Sequence, residues 1–229
     1  MKKNFYGLAL ILLAFVSNPA VANTNNYFYV AAKAGIFQAD FNQAYRDQTD
    51  IIPQNIVQTV KQQGYMGGIA AGYRQLICAD YFIGAELSAN LAGHWASFQS
   101  GAATAAFSDA TQIKSYIDLV ITPGLKLTNS IATYLKLGLS FAALQDQLNS
   151  PVGFTPLPTD FNSKKNALGL ALGLGLEKSL NEHMGIFVEA NYHDYGTIPF
   201  QTFQNFTATY THAAHVYSYD LALGVNYKI

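Results

Sequence analysis

Between Leu168 and Leu176 every even position is leucine and every odd position is glycine or alanine. On a helix these leucines would spread around the whole cylinder, and each interior glycine would cost about 1 kcal/mol against alanine. On a strand they form one continuous apolar face and leave the other nearly bare. A half-exposed strand of a soluble sheet shows polar residues on its wet side, and a doubly buried one shows large residues on both. A face reduced to hydrogen and methyl suits a narrow closed barrel, with leucine toward lipid and small residues in a crowded lumen. The stretch predicts a transmembrane strand, and closure needs seven more.

The amino terminus predicts export. Met1-Lys2-Lys3 is basic, Gly7 to Val16 is apolar, and Ala20-Val21-Ala22 fits a small-x-small cleavage site. The apolar run is too short to cross a bilayer as a helix. Residues 1–22 read as a secretory signal peptide and residues 23–229 as one domain. Asn23 stands where a lipoprotein would need cysteine. The formal net charge is −1, and losing Lys2 and Lys3 makes the chain more acidic, which argues against nucleic acid as a partner. The single cysteine, Cys78, has no internal disulfide partner. With no later apolar run long enough for a helix, an exported chain is either a soluble periplasmic protein or an outer-membrane barrel.

Eight stretches alternate with period two. The first places Phe28, Val30, Ala32, Ala34 and Ile36 outward, against Tyr29, Lys33 and Gly35. A polar segment from Gln38 to Gln63 follows, where Ile56-Val57 and Val60 suggest a helical turn. The second has Tyr65, Gly67, Ile69, Ala71 and Tyr73 out, and the third runs outward from Tyr81 to Trp95. The fourth reads Ile113, Ile117, Leu119 and Ile121 out against Lys114, Tyr116 and Asp118, with Pro123 demanding a bulge or an end. The fifth carries Leu135, Leu137, Leu139 and Phe141; the sixth is the leucine stretch. The seventh carries Ile186, Val188, Ala190 and Tyr192, and the last runs from Tyr217 to Ile229. Links after odd strands are long and links after even strands short, as in barrels with four longer extracellular loops and both termini in the periplasm.

The outward faces so chosen hold no Asp, Glu, Lys or Arg, whereas the inward faces hold Lys33, Arg74, Glu86, Lys114, Asp118, Lys126, Lys136, Glu177, Glu189, Asp220 and Lys228. Outward aromatics gather at strand ends: Tyr65, Trp95, Phe141, Tyr192, Tyr217 and Tyr219 at one, Phe28, Tyr73, Tyr81 and Tyr227 at the other. Interfacial aromatic girdles explain that sorting, and a soluble sandwich does not. The signal Met1–Ala22, the glycine-aromatic run Gly67-Gly68-Ile69-Ala70-Ala71-Gly72-Tyr73-Arg74 and the closing strand Tyr217–Ile229 resemble the small eight-stranded outer-membrane barrels of the OmpA/OmpX and opacity-protein type. The resemblance spans the chain after the signal. It implies a bacterial outer-membrane location, contact with lipid and lipopolysaccharide, and a final strand read by the barrel-assembly machinery. That family ordinarily ends in Phe or Trp, and this chain ends in Ile229. No peptidoglycan-binding domain is expected after the eighth strand.

An eight-stranded barrel is only wide enough for side chains to fill. Lys33, Arg74, Glu86, Asp118, Lys136, Glu189 and Asp220 are therefore expected as a paired polar network in the lumen, most of them near one depth. A narrow polar conduit is the alternative. His193 lies on the inner face with Glu189, but no enzyme signature is complete. His94 precedes Ala96 and His215 precedes Tyr217, so the His-x-Ser pattern of small-barrel lipid A deacylases is absent. His193 and Asp194 fall on opposite faces, unlike the Asp-His arrangement of outer-membrane proteases. Neither catalytic residues, nor a metal site, nor a cofactor is expected. Lys164-Lys165, at the outer mouth, can meet lipopolysaccharide phosphates or simply be solvated.

Function then falls to the loops. From Tyr195 to His215 there is no charged residue apart from histidine, yet Phe200, Phe203, Phe206 and Tyr210 stand among Thr, Gln and Asn. An extended ribbon with an exposed tip from Phe200 to Phe206 is expected, with those four aromatics as candidate contacts for a host or surface ligand. The expected role is a structural surface barrel with loop-mediated, adhesin-like contacts; a small pore and a lipid A-modifying enzyme are the rivals.

Overall fold

The computed structural model describes residues 26–49, 54–93, 108–149, 160–205 and 208–229; the signal-peptide reading of residues 1–22 and the positions of His94, Trp95 and Phe206 lie outside them. Nine strands follow in chain order: β1 (Tyr27–Thr49), β2 (Gln54–Leu76), β3 (Tyr81–Ala92), β4 (Ser108–Ile121), β5 (Gly124–Lys126), β6 (Ile131–Asn149), β7 (Asp160–Ser179), β8 (Met184–Asn205) and β9 (Ala208–Lys228). β4 and β5 are one barrel stave interrupted at Thr122-Pro123, so the wall has eight staves. The proline has no N–H to give the ladder, but its carbonyl still accepts from Leu135 N at 2.9 Å. Every pairing is antiparallel, and β1 bonds both β2 and β9, which closes the sheet on itself.

Leu168, Leu170, Leu172, Leu174 and Leu176 all point outward and are exposed, while Ala167, Ala171 and Glu177 on alternate positions are buried. The small residues of that strand have a partner-specific reason. Gly175 is in register with Tyr134, and a Cβ there would run into the tyrosine ring; Gly72 stands in the same relation to Tyr29. Large rings from one stave thus occupy the space left empty by glycine on the next. Outward, an unbroken belt of exposed Leu, Ile and Val has no protein partner, which in a closed barrel identifies the lipid-facing wall.

Three expectations from the sequence need correction. The polar segment from Gln38 to Gln63 has no helical turn: it is the continuation of β1 and β2, paired as far as Asp47↔Gln54. The β6–β7 and β8–β9 hairpins also run on, to Asn149↔Asp160 and Asn205↔Ala208. Beyond the lipid level the apolar face that advertises a strand is no longer needed, so the extensions read as polar loops.

The second correction is at Ile113 and Lys114. The β4–β6 register shifts between Ile113 and Ser115, and this bulge turns Ile113 inward to full burial and Lys114 outward to exposure. The third is at Phe200, which is not at an exposed tip. β8 has register shifts between Asp194 and Gly196 and between Pro199 and Gln201, and the residues inside them, Tyr195 and Phe200, are both buried. Gly196, at φ 66°, takes the left-handed turn of the first bulge and donates its N–H to Asp194 Oδ1 at 2.8 Å.

Leu172→Arg should prevent insertion into lipid, because an arginine near the midplane of a barrel's outer wall costs about 2–4 kcal/mol. Heat-modifiable migration on a gel checks it: the variant should run as unfolded protein whether boiled or not.

Candidate functional site

The interior is layered. At the end where β1 begins and β9 finishes, Arg74 is in direct contact with Glu177, and Lys228 lies 3.4 Å from the same carboxylate. The Arg74 guanidinium is enclosed by the rings of Tyr134, Tyr29 and Phe82, at 4.7, 5.0 and 5.0 Å. Such stacking stabilises a planar cation that has lost its water.

The next layer joins four staves. Lys136 reaches Glu86 at 2.8 Å and Glu189 at 2.5 Å, and Lys33 lies 3.6 Å from Glu189. Tyr29 donates its hydroxyl to Glu86 and Tyr134 donates to Glu189, each at 2.7 Å. Every carboxylate here therefore has both a cation and a hydroxyl donor, as buried charges require.

Above it stands a third group around His193. Its Nε2 is 3.4 Å from Asp118 and its Nδ1 3.9 Å from Asp220, with Ser218 Oγ at 3.3 Å from Nδ1. Asp118 accepts from Ser140, Asn90 and Ser88; Asp220 accepts from Tyr116 and Asn191. A serine, a histidine and an aspartate in sequence invite a hydrolytic reading. Burial argues against it: Ser218 is 0% and His193 1% exposed, so no substrate reaches either atom.

The fourth layer is apolar. Phe37, Phe41, Met66, Ile113, Leu144, Ile198, Phe200 and Val216 form one cluster across the lumen, with Tyr116 and Tyr195 passing from it into the polar layer below. Among the described residues, small cavities beside Glu86 and His193 and beside Arg74 and Glu189 are each of about 10 Å³, room for one water.

All seven charges singled out in the sequence are thus buried in the interior. The six expected near one depth fall on two adjoining levels, and Arg74 lies on a third. Sequence reasoning underweighted the tyrosines: Tyr29, Tyr116 and Tyr134 lie on inward positions, and their hydroxyls complete the carboxylates. Tyr195 was not readable, because a bulge sets its direction. Of the loop aromatics, Phe200 is in the apolar layer, Phe203 and Tyr210 are register partners high in the ribbon, and Phe206 is outside the described residues.

The family model for the outer membrane protein beta-barrel domain matches residues 7–228. An uncharacterized protein of Coxiella burnetii (strain RSA 493 / Nine Mile phase I) is 28% identical over 215 residues, covering 86% of this chain and 82% of that protein. Among solved structures, the outer membrane protein OprG of Pseudomonas aeruginosa is 15% identical, with a TM-score of 0.46, over 90% of this chain and 97% of its own. Neisserial surface protein A is 16% identical, with a TM-score of 0.43, over 88% and 97%.

Glu189→Ala should be among the most damaging single substitutions, since it strands Lys33, leaves Lys136 with Glu86 alone and leaves the Tyr134 hydroxyl without its acceptor. Breaking a buried pair costs about 3–5 kcal/mol. Urea titration of the folded band in detergent should show that loss, and a much smaller one for Lys126→Ala at the half-exposed rim.

Proposed function

Since the chain belongs to the outer-membrane protein β-barrel domain family and its place is the outer membrane, we propose that it acts there as a structural surface barrel whose hairpins make the contacts. In this reading residues 1–22 are removed on export, and Tyr217–Ile229 is presented to the barrel-assembly machinery. The short turns 77–80, 127–130 and 180–183 then lie in the periplasm with both termini, and the long hairpins stand outside the cell.

The sealed interior is the observation that carries the proposal. Among the described residues, two ion-paired layers, a hydrogen-bonded layer around His193 and an apolar layer above them fill the lumen, whereas a conduit needs a continuous wet path. The burial of Ser218 and His193 supports a reading without hydrolytic chemistry. What remains free to act is the outer rim: the β1–β2, β6–β7 and β8–β9 hairpins, extended well past the lipid belt and built from Gln, Asn, Thr and aromatic residues. Paired strands suit this role, because a ribbon is ordered before it meets a partner and loses less entropy on binding.

Two measurements test this. Purified protein in a planar bilayer should give no stable current beyond rare small openings; a steady, ion-selective current would return the lumen to a pore. Replacing residues 202–211 by a two-residue turn should leave heat-modifiable folding intact, because Phe200 and the apolar layer stay in place. It should remove most of any adhesion to host cells or matrix that the intact protein confers, and undiminished adhesion would assign the contact to another hairpin.

A further inference from the structure

The two ion-paired layers of the lumen touch without bonding. Among the described residues no ion pair or hydrogen bond runs from Arg74, Glu177 or Lys228 to Lys33, Lys136, Glu86 or Glu189. The layers meet where the rings of Tyr29 and Tyr134 lie against the Arg74 guanidinium. The cavity at this junction, of about 10 Å³, is lined by Arg74 of the first layer, by Lys33, Glu86 and Glu189 of the second, and by Asn226. Ala31, Ala70 and Phe187 add apolar wall.

Five buried polar side-chain atoms among the described residues have no hydrogen-bond partner: Arg74 Nε, Asn90 Oδ1, Thr122 Oγ1, Glu189 Oε2 and Asn226 Oδ1. Three of them belong to residues that line this one cavity. They come from three staves, Arg74 on β2, Glu189 on β8 and Asn226 on β9, and they are complementary. The Arg74 Nε–H is a donor without an acceptor; the carboxylate and carboxamide oxygens are acceptors without a donor. Lys33 stands 3.6 Å from Glu189 Oε2, too far to serve as that donor. The cavity beside Glu86 and His193 has the same volume and supplies the contrast, because none of the five atoms belongs to a residue lining it.

We propose that the cavity between Arg74, Glu189 and Asn226 is a binding site for one water, which accepts from Arg74 Nε–H and donates to Glu189 Oε2 and Asn226 Oδ1. The volume admits a single heavy atom, and a buried water needs two to four polar partners. A cation there would stand beside Arg74 and Lys33, and an anion beside Glu86 and Glu189, so the charges select a neutral molecule. Water alone at that size both donates twice and accepts. So placed, it joins the two layers into one bonded column, running from Lys228 through Glu177, Arg74 and the water to Glu189, Lys136 and Glu86. It also ties β2 to β8 and β9 across the bore, where no backbone ladder reaches.

The chain has two arginines, Arg46 and Arg74, which makes the site readable by NMR. In the folded barrel labelled with 15N-arginine, Arg46→Lys leaves one Nε–H signal, that of Arg74. This proton should show a cross-peak at the water frequency, with opposite signs in laboratory-frame and rotating-frame experiments, the mark of a held water rather than of proton exchange. A crystal structure fine enough to place waters should show density within hydrogen-bond reach of Arg74 Nε, Glu189 Oε2 and Asn226 Oδ1. Ala70→Val, which fills this cavity, should abolish the cross-peak and lower the urea midpoint of the folded band. Ala171→Val, which fills the cavity beside His193, should leave the cross-peak in place. Absence of the cross-peak or of the density in the protein with Ala70 intact would overturn the proposal, and so would a cross-peak that survives Ala70→Val. Density that takes on anomalous signal after a rubidium or bromide soak would overturn it too, by assigning the site to an ion.

Discussion

Everything in this molecule depends on the seam between its first and last strands. In hydrocarbon an unpaired peptide group has no water to bond, at a cost of several kcal/mol each, so a sheet can enter only with no edge. β1 and β9 meet that demand along their whole length, from Tyr29↔Lys228 to Thr49↔Ala208. The final amide also takes part: Ile229 N donates to Phe28 O at 2.8 Å.

Closure with eight staves fixes the bore, and the bore determines the rest of the interior chemistry. Side chains on the inner face cannot be solvated, so charges are tolerated only as mutual partners. The tyrosines are as necessary as the ions. A carboxylate offers several lone pairs, and one lysine leaves most of them empty; the hydroxyls of Tyr29, Tyr134 and Tyr116 fill them from neighbouring staves. The apolar layer above then separates this network from the hairpin end.

The sequence made some of this legible and hid the rest for physical reasons. Alternation within the lipid belt is written twice, once by the need for hydrocarbon outside and once by the need for small or polar groups inside, so the staves and the buried charges can be read directly. Past the membrane only the backbone still requires pairing, and Gln, Asn and Thr satisfy it without leaving a periodic mark; the extensions of β1 and β2 therefore resemble a loop. Bulges are harder still. Nothing within Gln112-Ile113-Lys114-Ser115 says that the phase slips there, because the slip is set by what lies across it: Leu144 in one direction and Gln62 in the other. The same holds for Tyr195 and Phe200, whose inward turn is visible only against β9.

Gln62 also has a mechanical consequence. Among the described residues β3 ends at Ala92, whereas β2 and β4 both continue toward the hairpin end, and above that point one carboxamide bridges them. A ladder shares a sideways load among many bonds and yields one rung at a time. A single bridging amide bears the load alone and gives way in one step. Among the described residues the rim is therefore not uniformly stiff: pulled outward, the Gln62 bridge between β2 and β4 would yield in one step, while the β8–β9 ladder, paired as far as Asn205↔Ala208, would yield rung by rung.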